Sequence, residues 1–349
     1  MGDLFEIKGN PQLNKDSFVF SENGQYPYFT RTVFNNGIFG YVDYLDEAHK
    51  IKGNCLSIGM MGMQFFYMQK DFYAGQFTKR AIAKSFTLTQ RLATYFIVLL
   101  NKNQDVFKNV LVRSFESEFN KFKIQLPTKN NQIDFDFMES FIAQIEAERI
   151  EKLDAYLEAS GLKDYVLTVE EEEVLEDFKR GEIKFSDFTY KSIFNKIIQG
   201  RRLTKDDQIS GNIPFVMAGV TNTGIVNHIS NPVASFSKNS ITVDIFGNTF
   251  YRDYDFGAGD DTGVYWNNEI EYSKETMLFF TTSMGKSILG KFDYGTKLRS
   301  SQSLNFKIKL PTKNKKPNYE IMETLISAVQ KLVIKDMVLY INKKVGKNS

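Results

Sequence analysis

The sequence predicts an α+β protein made of two tandem, duplicated domains, each a strand-rich body that runs into a long helix. Three observations carry this. Phe and Tyr number 32 and 17 beside 23 glycines and seven prolines, which favours strands joined by tight turns over an all-helical body. A nine-residue segment occurs twice. After each copy, apolar residues fall at helical spacing. The length of 349 residues fits two domains of about 150 residues, each able to bury a core.

The repeat organises the chain. FKIQLPTKN at Phe122–Asn130 returns as FKIKLPTKN at Phe306–Asn314, an offset of 184. Phe122–Leu157 and Phe306–Ile341 share 13 identities over 36 positions without a gap. Upstream the likeness is fainter: Tyr26–Tyr41 parallels Ile213–His228, Asn54–Tyr67 parallels Asn239–Arg252, and Phe72–Gly75 faces Phe256–Gly259. Each unit is thus a divergent body followed by a more similar tail.

In the bodies, LSIGMMGMQFFYMQ and SITVDIFGNTFYRDY are short apolar runs broken by glycine, the pattern of strands and tight bends. The tails follow a Pro127 or Pro311 break, with Asp134 and Asn318 as N-caps. Met138, Ile142, Ile145, Leu153 and Leu157 form one stripe. Met322, Ile326, Val329, Val333, Met337 and Tyr340 form the other. The spacing is that of a helix-pair seam, and pairing of the two tails with each other explains their retained similarity. Between the units, Gly161 reads as a helix C-cap, and Glu170–Glu173 with Glu176 and Asp177 as an acidic, solvated helix. The expected divisions are bodies at 1–133 and 189–316, helices at 134–160 and 317–349, and an acidic linker at 161–188.

Several classes are excluded. Lys+Arg 44 against Asp+Glu 42 is no overall basic coat, although a local basic face is open. One cysteine, Cys55, leaves no internal disulfide, and His49 and His228 add too little for a zinc cage. The longest aliphatic-containing apolar run, Tyr95–Leu100, is far shorter than the roughly 20 residues of a membrane helix. No secretory signal opens the chain, so a soluble, cytoplasmic protein is expected. No P-loop, GxSxG elbow or HExxH motif occurs. Phe256-Gly257-Ala258-Gly259 is followed by Asp260-Asp261-Thr262-Gly263 and a Tyr-Trp strand, which makes it a turn. No catalytic residue and no metal ligand set is expected.

What remains is a clustering of basic and amide residues in turn-like segments. The first body offers Arg31, Asn36, Lys79, Arg80 and Lys84. The second offers Arg201, Arg202, Lys205, Asn222, Arg252, Lys297 and Arg299. Arg and Lys clamp phosphates or guanine edges, and Asn reads adenine. Arg201 and Arg202 are expected on phosphates. Arg299, after the Gly295 turn, is the expected base reader.

On these residues the chain resembles the DNA-specificity (S) subunits of type I restriction-modification systems and the related subunits of type IIB enzymes. The resemblance spans the whole chain. It rests on GDLFEIKGNPQLNK at the start, NNGIFGY with TNTGIV, SITVDIFGNTFYRDYDF, the paired I-x-LPT before each helix, and EEEEVLEDFKRGEIKFSDF between the units. It implies two tandem target-recognition domains, each a twisted β-sheet with flanking helices, joined by two long antiparallel coiled-coil spacer helices. Met138, Ile142, Ile145 and Leu153 would then pack with Met322, Ile326, Val329 and Val333. It further implies a bipartite, asymmetric double-stranded DNA target, two modification subunits carrying S-adenosylmethionine, and restriction subunits as partners. This chain would bind no cofactor itself. Where members often carry a short leader, this sequence opens on Gly2-Asp3-Leu4-Phe5, which implies a differently built edge in the first domain. Two other readings compete: a fragment of a fused restriction-modification enzyme, and a duplicated β-rich scaffold for protein or glycan.

Overall fold

The structure, a computed structural model, describes residues 1–110, 112–232 and 235–346. The chain divides into two compact units, Met1–Leu153 and Asp154–Ser349, and the division falls inside the helix Phe135–Ala159.

The first unit holds a four-stranded antiparallel sheet in the order Phe5–Gly9, Thr78–Ala83, Cys55–Gly59, Gln64–Met68. Every residue of the central strand Cys55–Gly59 is buried. Leu56 and Ile58 face a core that also takes Phe65, Phe96, Phe107, Phe115 and Phe119. Cys55 joins a smaller cluster with Phe29, Met68 and Phe72. The helix Gln90–Lys102 starts because the Thr89 hydroxyl accepts from the Leu92 N–H. It lays Leu92, Ala93, Phe96 and Leu100 on the sheet. Its Asn101 amide accepts from the Phe65 N–H at 2.8 Å and donates to the Phe65 carbonyl at 3.1 Å, which satisfies a main-chain pair on the edge strand. A second sheet, Ile38–Val42, Tyr26–Phe29, Tyr73–Ala74, contains one parallel pair, Tyr28↔Tyr73 and Phe29↔Ala74.

The second unit repeats this plan. Its sheet orders Lys196–Gln199, Thr262–Trp266, Ser240–Asp244, Thr249–Arg252, and Ser240–Asp244 is again buried throughout. The helix Lys274–Ile288, capped by Ser273, buries Met277, Phe280, Met284 and Ile288. The smaller sheet keeps the parallel pair as Phe215↔Gly257 and Val216↔Ala258. Phe256–Ala258 leads through a turn into the strand Thr262–Trp266.

The long helices run Phe135–Ala159 and Tyr319–Val345. Asp134 caps the first through the Phe137 N–H at 2.9 Å, and Asn318 caps the second through the Ile321 N–H. The root of each belongs to its own unit. Met138 and Met322 are fully buried in the two main cores. The expected seam is therefore corrected there: these methionines hold helix to domain rather than helix to helix. Ile142 is buried and Leu153 and Ile326 are half-buried, but Ile145 and Val329 are exposed and Val333 is 77% exposed.

The acidic stretch departs further from expectation. Val169–Arg180 is a helix with a complete capping box between Thr168 and Glu171. It is not a solvated linker: Leu175 packs with Leu325 and Ala328 of the terminal helix. Buried Glu171 accepts from Ser327 Oγ at 2.6 Å and Lys331 Nζ at 2.9 Å. The strand Phe185–Thr189, which straddles the expected start of the second domain, pairs with Lys307–Lys313 inside that domain.

Burial alone would raise the Glu171 pKa, but hydrogen bonds from Ser327, the Thr168 N–H and Lys331 bring it below its ordinary 4.5. A carboxylate depressed on folding contributes stability above that value and loses it as pH falls through the folded pKa. Glu171→Ala should destabilise the protein by about 1.5–3 kcal/mol at pH 7 in urea unfolding. The gap from wild type should narrow as pH falls below 4.5.

Candidate nucleic-acid interface

In the first unit the loop Thr30–Gly37 gathers the candidate groups. Asn35 and Asn36 take left-handed φ of 47° and 52°, and the Asn35 amide closes the turn on the Ile38 carbonyl at 3.1 Å. Gly37 is required here: its φ is +79°, and a Cβ would sit 2.2 Å from the Phe29 ring. Arg31 lies on the same loop, its guanidinium 5.5 Å from the Phe77 ring centroid. Phe77 holds φ at +57°, an uncommon state for a bulky side chain. Arg31, Asn14, Lys15, Tyr28, Phe39 and Gln76 line one shallow hollow, and Gln76 donates to Asn14 Oδ1 at 3.0 Å. Exposed Val33 and Phe34 rim the loop, Phe34 at 78%. This is a surface of cation, amides and aromatic faces, the mixture that reads nucleic-acid bases.

The other first-unit candidates lie elsewhere. Lys79 and Arg80 are half-buried on the strand Thr78–Ala83, and Arg80 is tied to the Gly9 carbonyl at 3.0 Å and Asn10 Oδ1 at 2.9 Å. Exposed Lys84 follows that strand and bonds the Gly2 carbonyl. At about 3.4 Å per residue it lies roughly 17 Å from Lys79. Arg31 and Asn36 thus share the loop Thr30–Gly37, and Lys84 lies apart from it.

In the second unit Arg201 and Arg202 are exposed after the strand Lys196–Gln199, with the Arg201 N–H on the Ala258 carbonyl at 3.0 Å. Arg299 donates from Nη1 to the Asp260 carbonyl at 2.6 Å. Gln199 donates to that same oxygen at 3.0 Å and accepts from the Ser300 N–H at 2.9 Å. Arg201, Gln199 and Arg299 are therefore neighbours around one turn. Lys297 sits 4.6 Å over the Tyr294 ring and is exposed. Lys205 shares its turn with Asp206 and Asp207, which weakens its local field. Asn222 occupies an exposed left-handed position in the turn Thr221–Gly224.

Arg252 is the correction. It is 2% exposed and cannot meet DNA. Its Nε donates to Thr242 Oγ1 at 3.0 Å, Nη1 to Thr223 Oγ1 at 3.1 Å and Tyr254 OH at 2.9 Å, and Nη2 to the Thr223 carbonyl at 2.6 Å. Burial lowers its pKa, against the hydrogen bond it donates to the Tyr254 hydroxyl. The side chain pins the turn bearing Asn222 from beneath. Gln76, Phe77 and Gln199 were missed as candidates. The pairing of a polar and an aromatic residue after the glycine of FYAG was the available signal for the first two.

Arg252→Lys should cost about 1.5–3 kcal/mol of stability, because a lysine keeps the charge but cannot span Thr242, Tyr254 and Thr223 together. Thermal unfolding checks it: the midpoint should fall, and exchange of the Thr223 and Gly224 amides should rise.

Among the described residues no group of three or more His, Cys, Asp or Glu could hold a metal ion, and no helix is long and apolar enough to cross a membrane. Comparison with known proteins gives a consistent result. The chain is 26% identical over 340 residues to the specificity subunit S.BcgI of a type II restriction enzyme from Heyndrickxia coagulans, covering 96% of this chain and 94% of that one. Its fold matches the crystal structure of a type I restriction-modification S subunit from M. genitalium with a TM-score of 0.58 at 16% identity, over 99% of this chain and 91% of that one. The model of the type I restriction modification DNA specificity domain matches twice, at residues 1–155 and 182–336. With a match on each half of the duplication, the chain belongs to the family of restriction-modification DNA specificity subunits.

Proposed function

We propose that the chain reads a split, asymmetric DNA target, one half with each unit, as the non-catalytic member of a complex with two methyltransferase subunits and with restriction subunits, in the cytoplasm. The observation that carries this is a shared scaffold with different faces. Counting from the parallel pairs Phe29↔Ala74 and Val216↔Ala258, Arg31 corresponds to Ala218 and Phe77 to Asp261. The first unit there presents an arginine on an aromatic ring. The second has Asp261 accepting from the Ala218 N–H at 3.0 Å. Equal frames with unlike surfaces are what two different half-sites require.

The long helices, at 25 and 27 residues, measure roughly 38 and 40 Å at 1.5 Å per residue, about one turn of B-DNA. In this reading they lie antiparallel and set the gap between half-sites. Exposed Ile145, Val329, Val333 and Met337 are available to that pairing and to partner subunits. S-adenosylmethionine belongs to the methyltransferase partners. Gly257 lies in the strand Phe256–Ala258 and Gly259 in the turn before Thr262–Trp266, a strand-to-strand connection without the helix N-terminus that would cradle it.

Replacing residues 190–305 by those of a relative should change one half-site in base-resolved methylation maps and leave the other. A change in both would end the modular reading. Arg201→Ala with Arg202→Ala should weaken duplex binding and lower the salt slope by up to about two. Fluorescence anisotropy at several salt concentrations reads it, and an unchanged slope removes these residues from the DNA face.

A further inference from the structure

The candidate DNA face of the first unit contains a strained residue. Phe77 holds φ at +57°, a region that a bulky side chain enters only at a cost in backbone energy. Its surroundings keep it there. The Gly75 N–H donates to the Phe29 carbonyl at 2.8 Å, and the Met60 N–H donates to the Phe77 carbonyl at 3.0 Å. Next in the chain, the buried Thr78 hydroxyl donates to the Gly75 carbonyl at 2.9 Å and accepts from the Asn10 amide at 3.1 Å.

The scaffold does not require this conformation. In strand register Gly259, Asp261 and Ile245 stand where Gly75, Phe77 and Met60 stand. The Gly259 N–H meets the Val216 carbonyl and the Ile245 N–H the Asp261 carbonyl, each at 2.9 Å. The second unit thus makes the same two bonds, and Asp261 is not left-handed. The strain at Phe77 therefore belongs to the placement of its own ring and not to the turn.

What that placement supplies is a platform. The Arg31 guanidinium lies 5.5 Å from the Phe77 ring centroid. The Arg31 backbone is fixed as well: a Cβ on Gly59 would come 3.1 Å from the Arg31 Cα, so the strand Cys55–Gly59 ends directly against it. Among the described residues the exposed Arg31 guanidinium makes no ion pair and no hydrogen bond. Arg80 and Arg299, in contrast, spend donors on the Gly9 and Asp260 carbonyls. A phosphate accepts a cation from many directions, but pairing with both O6 and N7 of guanine needs the fork in the plane of the base. Only the second task uses a residue that fixes that plane.

We propose that Phe77 is a positioning residue for base recognition: it sets the plane of the Arg31 fork, and Arg31 reads a guanine from the major groove in the half-site of the first unit. This rests on the DNA reading above.

The test maps methylated sites at base resolution in cells that carry the chain with its partner subunits, for wild type, Arg31→Ala, Phe77→Gly and Phe77→Tyr. In the half-site that replacement of residues 190–305 leaves unchanged, the preference for one guanine should fall about tenfold or more in Arg31→Ala. Phe77→Gly should relax the same guanine, Phe77→Tyr should keep it, and every other position should hold its base. Thermal unfolding of the purified chain reads the strain: Phe77→Gly should melt above Phe77→Ala, because glycine accepts a left-handed φ more readily than alanine. A half-site without guanine, weaker methylation with every base preference intact, relaxation in Arg31→Ala but not in Phe77→Gly, or the reverse order of melting overturns the proposal and leaves the DNA reading standing. A wild-type complex with no sequence preference overturns the DNA reading and this inference with it.

Discussion

Each long helix is fixed to its domain by a methionine and a glutamate in succession, and the rest of the architecture hangs on that root. Met138 and Met322 are buried without remainder. Beside them, Glu139 accepts from the Thr89 hydroxyl and Glu323 from the Ser273 hydroxyl at 2.6 Å. Thr89 and Ser273 are themselves the N-caps of the helices that cover the two sheets. One hydroxyl thus starts a flanking helix and holds a long one, and the Arg91–Glu146 pair at 3.0 Å extends the tie in the first unit. A buried methionine is worth about 1.5–3 kcal/mol, and a hydrogen bond to a charged group about the same. Together they fix the direction in which each helix leaves its domain.

This explains why the tails stay alike while the bodies diverge. The caps Asp134 and Asn318 and the main-chain bonds from Asp134 and Asn318 to the Pro127 and Pro311 carbonyls at 2.9 and 2.8 Å are local in sequence. Local determinants repeat when the chain repeats, so both helices were legible from spacing and capping residues. So was the Gly161 stop, where φ is +69° and the Leu162 N–H reaches the Leu157 carbonyl.

What could not be read from the sequence depends on partners far along the chain. Glu171 looks like one of four equivalent glutamates, and only Ser327 and Lys331, some 160 positions on, make it a buried anchor. Arg252 resembled a surface cation in a turn-like segment. It stands in the strand Thr249–Arg252, and Thr223, 29 positions back, encloses it. In strand register its counterpart is Met68, which faces Cys55 as Arg252 faces Ser240 and is buried in an apolar cluster with Phe29 and Phe72. The same position in one scaffold thus holds a thioether in one unit and a guanidinium in the other. Of the candidate face, the loops were legible from asparagine and glycine, but the Arg31–Phe77 stack was not, because 46 residues separate its members.

The buried guanidinium has a consequence for how this surface can vary. The turn Thr221–Gly224 receives its shape from Arg252 below, through the Thr223 carbonyl and hydroxyl. Exposed Thr221 and Asn222 are not needed for that shape beyond tolerating the backbone. Mutational drift at Thr221 is therefore decoupled from foldability, whereas Asn222, at φ 48°, is held to residues that accept the left-handed region. A lineage can sample outward side chains at Thr221 while selection on stability acts on the arginine hidden underneath and on Gly224, whose φ is +84°.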